Sequence, residues 1–260
     1  MTKEDAENEE TKKKFISLLP KWIYGTVGGN TPCVELTAEN DTKIVFDAGS
    51  GIRGMGKYGV PQKDFHYNML FSHFHWDHIQ GFMSDQMVPP YYPVTMDALS
   101  KNMNFHKIST DDVLDIGGLK VTCAEMSHPG KSYSYRVEEK IGDKTKSFVY
   151  ATDVELTPAD FERTKNKSHV FEDADVLVLD SQYTVEEAFR KENWGHSSFC
   201  YAVDFAVTWN IGEIYLFHHE PTYDDRKLDS ILESAQWYAD YATSAQVKVH
   251  LATEGLDIKL

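Results

Sequence analysis

The tightest constraint on this chain is the hexapeptide His73-Phe74-His75-Trp76-Asp77-His78, which sets three imidazoles and a carboxylate within six residues. Imidazole nitrogen and carboxylate oxygen are ligands that divalent cations accept. The preceding run, Tyr67-Asn68-Met69-Leu70-Phe71, reads as a buried strand. His73 and His75, two apart at its end, then point to the same side. Asp77 and His78 fall on the turn beyond it, where the chain can bring them back to the same point. Placing so many polar groups at the end of an apolar run is costly unless they share a ligand. His66, His106, His169 and His250 stand alone and read as ordinary surface or core histidines.

Charge narrows the substrate. The net charge is −15, and a long nucleic acid needs a basic footprint to replace its counterions. The only short basic run, Lys12-Lys13-Lys14, comes after a cluster of acids. A long nucleic acid is therefore disfavoured as a partner, whereas a small anionic substrate at a metal centre is not. No uncharged apolar run reaches membrane length, so no membrane partner is expected. Residues 1–20 are rich in charge and read as a disordered tail, leaving 21–260 as a single domain. Cys33, Cys123 and Cys200 are odd in number and far apart, which fits a reducing cytoplasm better than a disulfide framework.

Strand patterns occupy 33–36, 43–47, 67–72, 119–126, 132–137, 147–151, 176–180, 213–217 and 246–251. Helical stripes occupy 199–210 and 226–243. Ser197 or Ser198 can cap the first helix, and Gly212 is placed to end it. Strands come first and strand–helix alternation comes after them, which argues for sheets in the middle with helices outside. Three further polar residues sit at the tips of apolar runs: His128, Asp153 and His218. With the hexapeptide they supply enough nitrogen and oxygen ligands for two metals sharing a carboxylate.

The order His-x-His-x-Asp-His, His, Asp, His resembles the metallo-β-lactamase fold hydrolases, and in particular the branch that holds ribonuclease Z and cyclic-nucleotide phosphodiesterases of that fold. The resemblance runs from about Tyr24 onward. It includes Gly28-Gly29-Asn30-Thr31-Pro32-Cys33, Phe46-Asp47-Ala48-Gly49-Ser50-Gly51, Tyr150-Ala151-Thr152-Asp153, Trp194-Gly195-His196-Ser197-Ser198, Phe217-His218-His219-Glu220-Pro221 and Ala252-Thr253-Glu254-Gly255. It implies an α/β fold, a four-layer αββα sandwich with a dinuclear site at one edge of the two sheets. One metal would take His73, His75 and His128. The second would take Asp77, His78 and His218, and Asp153 would bridge them. His218 aligns with the family ligand, and alternation at the strand end turns His219 away. Asp47 matches an acid that orients ligand imidazoles. The cofactors implied are two divalent ions, zinc in the first place, with manganese or iron as alternatives.

The resemblance also implies catalytic roles. His196 matches a histidine beside the scissile phosphate and Asp180 matches its acidic partner; His196 is expected to act as general acid with Asp180 holding its tautomer. Asp77 is counted with them as a catalytic carboxylate. Arg53, after the Gly49-Ser50-Gly51 turn, is as readily a structural arginine as a phosphate clamp.

Two departures from the family pattern narrow the substrate further. Ribonuclease Z carries a long arm between its third histidine and its bridging aspartate, whereas residues 128 and 153 here bracket only two strands and a turn. That disfavours a tRNA-processing endonuclease. After His78-Ile79-Gln80-Gly81-Phe82 the chain passes quickly to Pro89-Pro90, which reads either as a short lid or as a segment lacking residues that the relatives carry there. The function expected is a metal-dependent phosphodiesterase for a small substrate such as a cyclic nucleotide. The alternative is hydrolysis of a lactone, thioester or β-lactam on the same metals, and a homodimer is the assembly the resemblance implies.

Overall fold

In a computed structural model, residues 8–19, 26–54, 66–81, 104–242 and 247–260 are described. The expected short lid after Phe82 lies outside them. Two sheets organise the chain. The smaller holds β1 (Val34–Thr37), β2 (Lys43–Phe46) and β3 (Asn68–Leu70) in that order. The larger holds β4 (Leu114–Ile116), β5 (Leu119–Met126), β6 (Ser132–Ile141), β7 (Lys144–Ala151), β8 (Val176–Asp180), β9 (Glu213–Phe217) and β10 (Lys248–Leu251), ordered 10-9-8-7-6-5-4. Strands β4 to β7 are antiparallel neighbours, and β7 to β10 are parallel.

Strand alternation divides the core. Val176 and Val178 face one way, into a cluster with Ile44 and Phe46 of the small sheet and Tyr135, Phe148 and Tyr150 of the large one. Leu177 and Leu179 face the other way, against Val203, Phe205, Ala206, Trp209, Ile231 and Ala235. Sheet, sheet and helices thus form three layers of the αββα sandwich among the described residues. The helical layer is built from α3 (Lys165–Phe171), α5 (Phe199–Thr208) and α6 (Asp225–Ala242). Of two short helices, α2 (Trp76–Ile79) carries Asp77 and His78, and α4 (Val185–Arg190) follows β8 in the chain.

The ends of these elements obey local chemistry. Ser198 is the N-cap of α5, its hydroxyl accepting from the Tyr201 amide at 3.3 Å. Gly212 is expected to end this helix, but Asn210 does so first: it turns left-handed (φ 55°), and the Ile211 amide reaches back to Ala206. Asparagine tolerates that conformation better than most side chains. Within the segment expected to be a tail, Glu9–Ser17 forms the helix α1. Asn8 Oδ1 accepts from the Glu10 amide at 2.9 Å, and Glu9 and Glu10 occupy the first turn.

Phe205 is fully buried, with its ring 4.9 Å from that of Phe171 and 5.9 Å from that of Trp209. Phe205→Ala is expected to cost about 3–5 kcal/mol in urea unfolding. A loss below about 1 kcal/mol would contradict this packing.

Candidate metal centre

The site gathers where strands of both sheets end. Asp47 comes after β2, the hexapeptide after β3, His128 after β5, Asp153 after β7 and His218 after β9, while Asp180 ends β8. Asp47, Asp153 and His218 all take left-handed backbone, at φ 56°, 52° and 57°. That conformation breaks the alternation of a strand and redirects the side chain.

Every sequence-predicted ligand is brought into this cluster. His73, His75, His128 and Asp153 each offer one ligand atom, all within 4.8 Å of one another; Asp77, His78, Asp153 and His218 do the same. The carboxylate of Asp153 divides the histidines. Its Oδ2 lies 3.6 Å from His73 Nε2 and 3.7 Å from His128 Nε2, and its Oδ1 lies 3.0 Å from His78 Nε2 and 3.2 Å from His218 Nε2. Asp77 Oδ2 is 3.3 Å from His78 Nε2 and 3.5 Å from His218 Nε2. His219 is not in the cluster; its Nε2 donates to the Ala252 carbonyl at 3.0 Å.

The donor set fits a divalent metal. His73 Nε2 is buried without a hydrogen bond, and such an atom is rare unless something else satisfies it. His75 Nδ1 and His128 Nε2 face each other at 3.2 Å, a repulsive meeting of lone pairs unless a proton or a cation lies between them. The imidazoles are also oriented from behind. His78 Nδ1 donates to Asp47 Oδ2 at 2.8 Å, and His128 Nδ1 donates to the Gly195 carbonyl at 2.8 Å. Both contacts leave Nε2 for the centre. Asp47 is itself held by the Ser72 amide and hydroxyl (2.8 and 2.7 Å) and by the Tyr150 hydroxyl (2.9 Å). Ser72 and Tyr150, which sequence reasoning does not single out, thus hold Asp47 in place.

Burial and neighbouring carboxylates separate the histidines electrostatically. Burial pushes His73 down to about 3. Burial also opposes charge on His78, but the carboxylates of Asp153, Asp47 and Asp77 outweigh it and push His78 up to about 12. On His218, Asp153 and Asp77 likewise overcome burial and raise it to about 9. The same imidazoles hold Asp77 and Asp153 below the usual carboxylate range against their own burial.

A further grouping joins Asp153, Asp180, His196 and His218. Here a proton, not a metal, explains the closeness. His196 Nδ1 is 2.6 Å from Asp180 Oδ2, while Asp180 Oδ1 accepts the Ser197 and Gln182 amides at 3.1 and 3.2 Å. The His196 ring stacks on His218 at 4.9 Å. Arg53 is committed elsewhere, donating to Asn30 Oδ1 at 3.0 Å and the Ser50 carbonyl at 3.3 Å.

Known proteins share this architecture. The family model described as "Beta-lactamase superfamily domain" matches residues 42–219, more than half of the chain, and the chain belongs to that family. It shares the metallo-β-lactamase fold with several solved structures. The metallo-β-lactamase fold protein YhfI from Bacillus subtilis is 18% identical, with 87% of this chain and 90% of that chain covered at a TM-score of 0.62. Yeast PDE1 is 15% identical, with 86% and 93% covered at 0.61. Zinc-bound PqqB from Methylobacterium extorquens is 14% identical, with 88% and 87% covered at 0.59. No curated protein matches the sequence. No helix among the described residues is long and apolar enough to cross a membrane.

The packing and the protonation of the histidines each carry a measurable consequence. A Cβ on Gly195 would lie 2.2 Å from His128 Nδ1, so Gly195→Ala is expected to lower the metal content measured by atomic emission in a protein that still folds. Full metal content in that variant would contradict the packing of His128 on Gly195. Metal binding also needs neutral imidazoles, while the neighbouring carboxylates favour the protonated forms of His78 and His218, pushing them up to about 12 and about 9. Affinity for zinc should therefore strengthen as pH rises from 6.5 toward 9, with proton release visible by calorimetry in buffers of different ionisation enthalpy. A pH-independent affinity would show that these protons do not compete.

Proposed function

We propose that this chain is a dinuclear-metal-dependent phosphodiesterase acting on a small substrate, a cyclic nucleotide being the leading choice. The observation that carries the reading is the division of histidines by Asp153: His73 and His128 on one oxygen, His78 and His218 on the other. In this reading His73, His75 and His128 hold one ion, Asp77, His78 and His218 hold the second, and Asp153 serves both. Zinc is the first choice, because the nitrogen and oxygen donors suit it and PqqB, which shares the fold, is zinc-bound. Bound there, a metal pair would supply a hydroxide at neutral pH and neutralise charge on the diester oxygens.

The chain's own residues supply the rest. A departing alkoxide needs a proton, and His196 stands beside the cluster as the donor. Asp180, wholly buried, accepts Nδ1–H and would favour the imidazolium form of His196, whose second proton, on Nε2, passes to the leaving oxygen and leaves the ring neutral. Asp77 is the open carboxylate of the set, with its side chain 40% exposed against 3% for Asp153. Its exposed edge is therefore placed to orient an incoming water by accepting a hydrogen bond from it.

Two observations support a small substrate. The interval between His128 and Asp153 is a plain hairpin, with β6 and β7 paired up to Ile141 and Lys144 around the turn at Gly142 and Asp143. The net charge of −15 further opposes a long nucleic acid.

The test is turnover of bis-p-nitrophenyl phosphate and a panel of cyclic nucleotides by zinc-loaded protein. His75→Ala should abolish cleavage together with metal at one site. His196→Ala should keep both metals and lower kcat by about 10²- to 10⁴-fold. Near-normal turnover in His196→Ala would remove the proton-donor role. A metal-loaded protein inert on every diester would overturn the phosphodiesterase reading in favour of lactone or thioester hydrolysis.

A further inference from the structure

One acidic residue near the site takes no part in the metal cluster, yet its contacts touch both halves of the chemistry. Glu155 lies two residues after Asp153. Its Oε1 accepts the Asn193 amide at 2.7 Å and its Oε2 accepts the Gly195 amide at 2.8 Å. Asn193 and Gly195 both have left-handed backbone, at φ 67° and 92°. Alternate amides in such a segment converge on a concave anion-binding nest, and here the anion is a side chain of the same protein.

The backbone held by those two amides leads directly to two site histidines. The Gly195 carbonyl accepts Nδ1–H of His128 at 2.8 Å. The Gly195 α-carbon is packed so closely on His128 that no Cβ fits. The next residue is His196, bonded to Asp180 at 2.6 Å. The same segment is stitched to Asp153's own strand exit: Ser197 Oγ donates to the Val154 carbonyl at 2.5 Å and accepts the Leu156 amide at 2.9 Å. The Glu155 amide in turn donates to the Ser127 carbonyl, next to His128, at 2.9 Å.

We propose that Glu155 is a positioning residue: by holding the Asn193 and Gly195 amides, it fixes both the tautomer of His128 and the place of His196. It touches neither substrate nor metal and acts through the backbone of 193–195. A neutral side chain cannot replace it, because an amide would turn an N–H group toward one of two N–H donors. The proposal rests on the reading of His128 as a ligand and His196 as the proton donor.

The test compares the full-length wild type with Glu155→Gln, labelled with ¹⁵N at histidine. Wild type should show His128 with its proton fixed on Nδ1, assigned by loss of the signal in His128→Gln. In Glu155→Gln the His128 ring signals should shift toward a mixture of tautomers. Zinc affinity at one of the two sites, measured against a chelating indicator, should fall about tenfold. Where zinc-saturated protein cleaves a diester, kcat should fall with KM unchanged. Unchanged His128 signals together with unchanged zinc affinity would overturn the proposal, and so would a lowered melting temperature as the sole effect. Should Glu155→Gln fail to fold, Glu155→Asp, which keeps the charge but reaches less far, is read by the same signals. A tautomer shift in a protein that cleaves no diester would uphold the role of Glu155 while removing the phosphodiesterase reading.

Discussion

The site depends on one buried charge. Asp153 is 2% exposed, and a carboxylate so far from water costs several kcal/mol unless its surroundings compensate. The Thr152 hydroxyl donates to Oδ1 at 2.8 Å, and four imidazoles surround the rest. Those imidazoles come from the chain after β3, after β5 and after β9. They meet at Asp153 only if the small sheet and the large sheet are correctly packed on each other. The carboxylate thus reads out the geometry of the whole sandwich, which is why the buried faces behind it matter to the chemistry. Phe46 stacks on Tyr150 at 5.1 Å between the sheets. The hydroxyl of that tyrosine then reaches Asp47, and through it His78.

Backbone strain converts strands into a site. Left-handed backbone costs about 1–2 kcal/mol for an ordinary residue, and it occurs at Asp47, Asp153 and His218. A strand that simply continued would send successive side chains to opposite faces. One left-handed residue at the strand end breaks that rule and lets three strands aim at one point. The cost is offset by fully buried neighbours, Phe46 and Ala48 around Asp47 and Ala151 and Val154 around Asp153. Strain of this kind persists where the surrounding structure over-determines it.

Much of this is legible in the sequence because its signals are local. The hexapeptide, the polar residues at strand tips and the period-two runs are read over a few positions, and the strands at 119–126, 176–180 and 213–217 match Leu119–Met126, Val176–Asp180 and Glu213–Phe217. At the end of β9, His218 lies against Asp153 and His219 turns to the Ala252 carbonyl. The illegible parts are those decided by distant contacts. β4 is three residues long and exists by pairing with β5. The Glu155 clamp spans 38 and 40 residues of sequence, and nothing near Glu155 announces it. The helix Glu9–Ser17 is a different case: its cap and first-turn acids are visible in the sequence, but the charge density of the segment masks them.

The charge of the protein and the charge of its site pose a single problem with one solution. Asp47, Asp77, Asp153 and Asp180 are concentrated in a chain that already carries −15. An anionic diester would be repelled by such a centre in the absence of positive charge. The imidazoles alone do not settle the balance, because burial keeps His73 neutral and lowers His128, while His78 and His218 are engaged with carboxylates. Divalent cations change the local sign without changing the rest of the surface. The arrangement then attracts an anion only over the few ångströms where the ligands converge, and an extended polyanion gains nothing along the remainder of its length. On the proposed reading, that field suits a small phosphodiester better than a long nucleic acid.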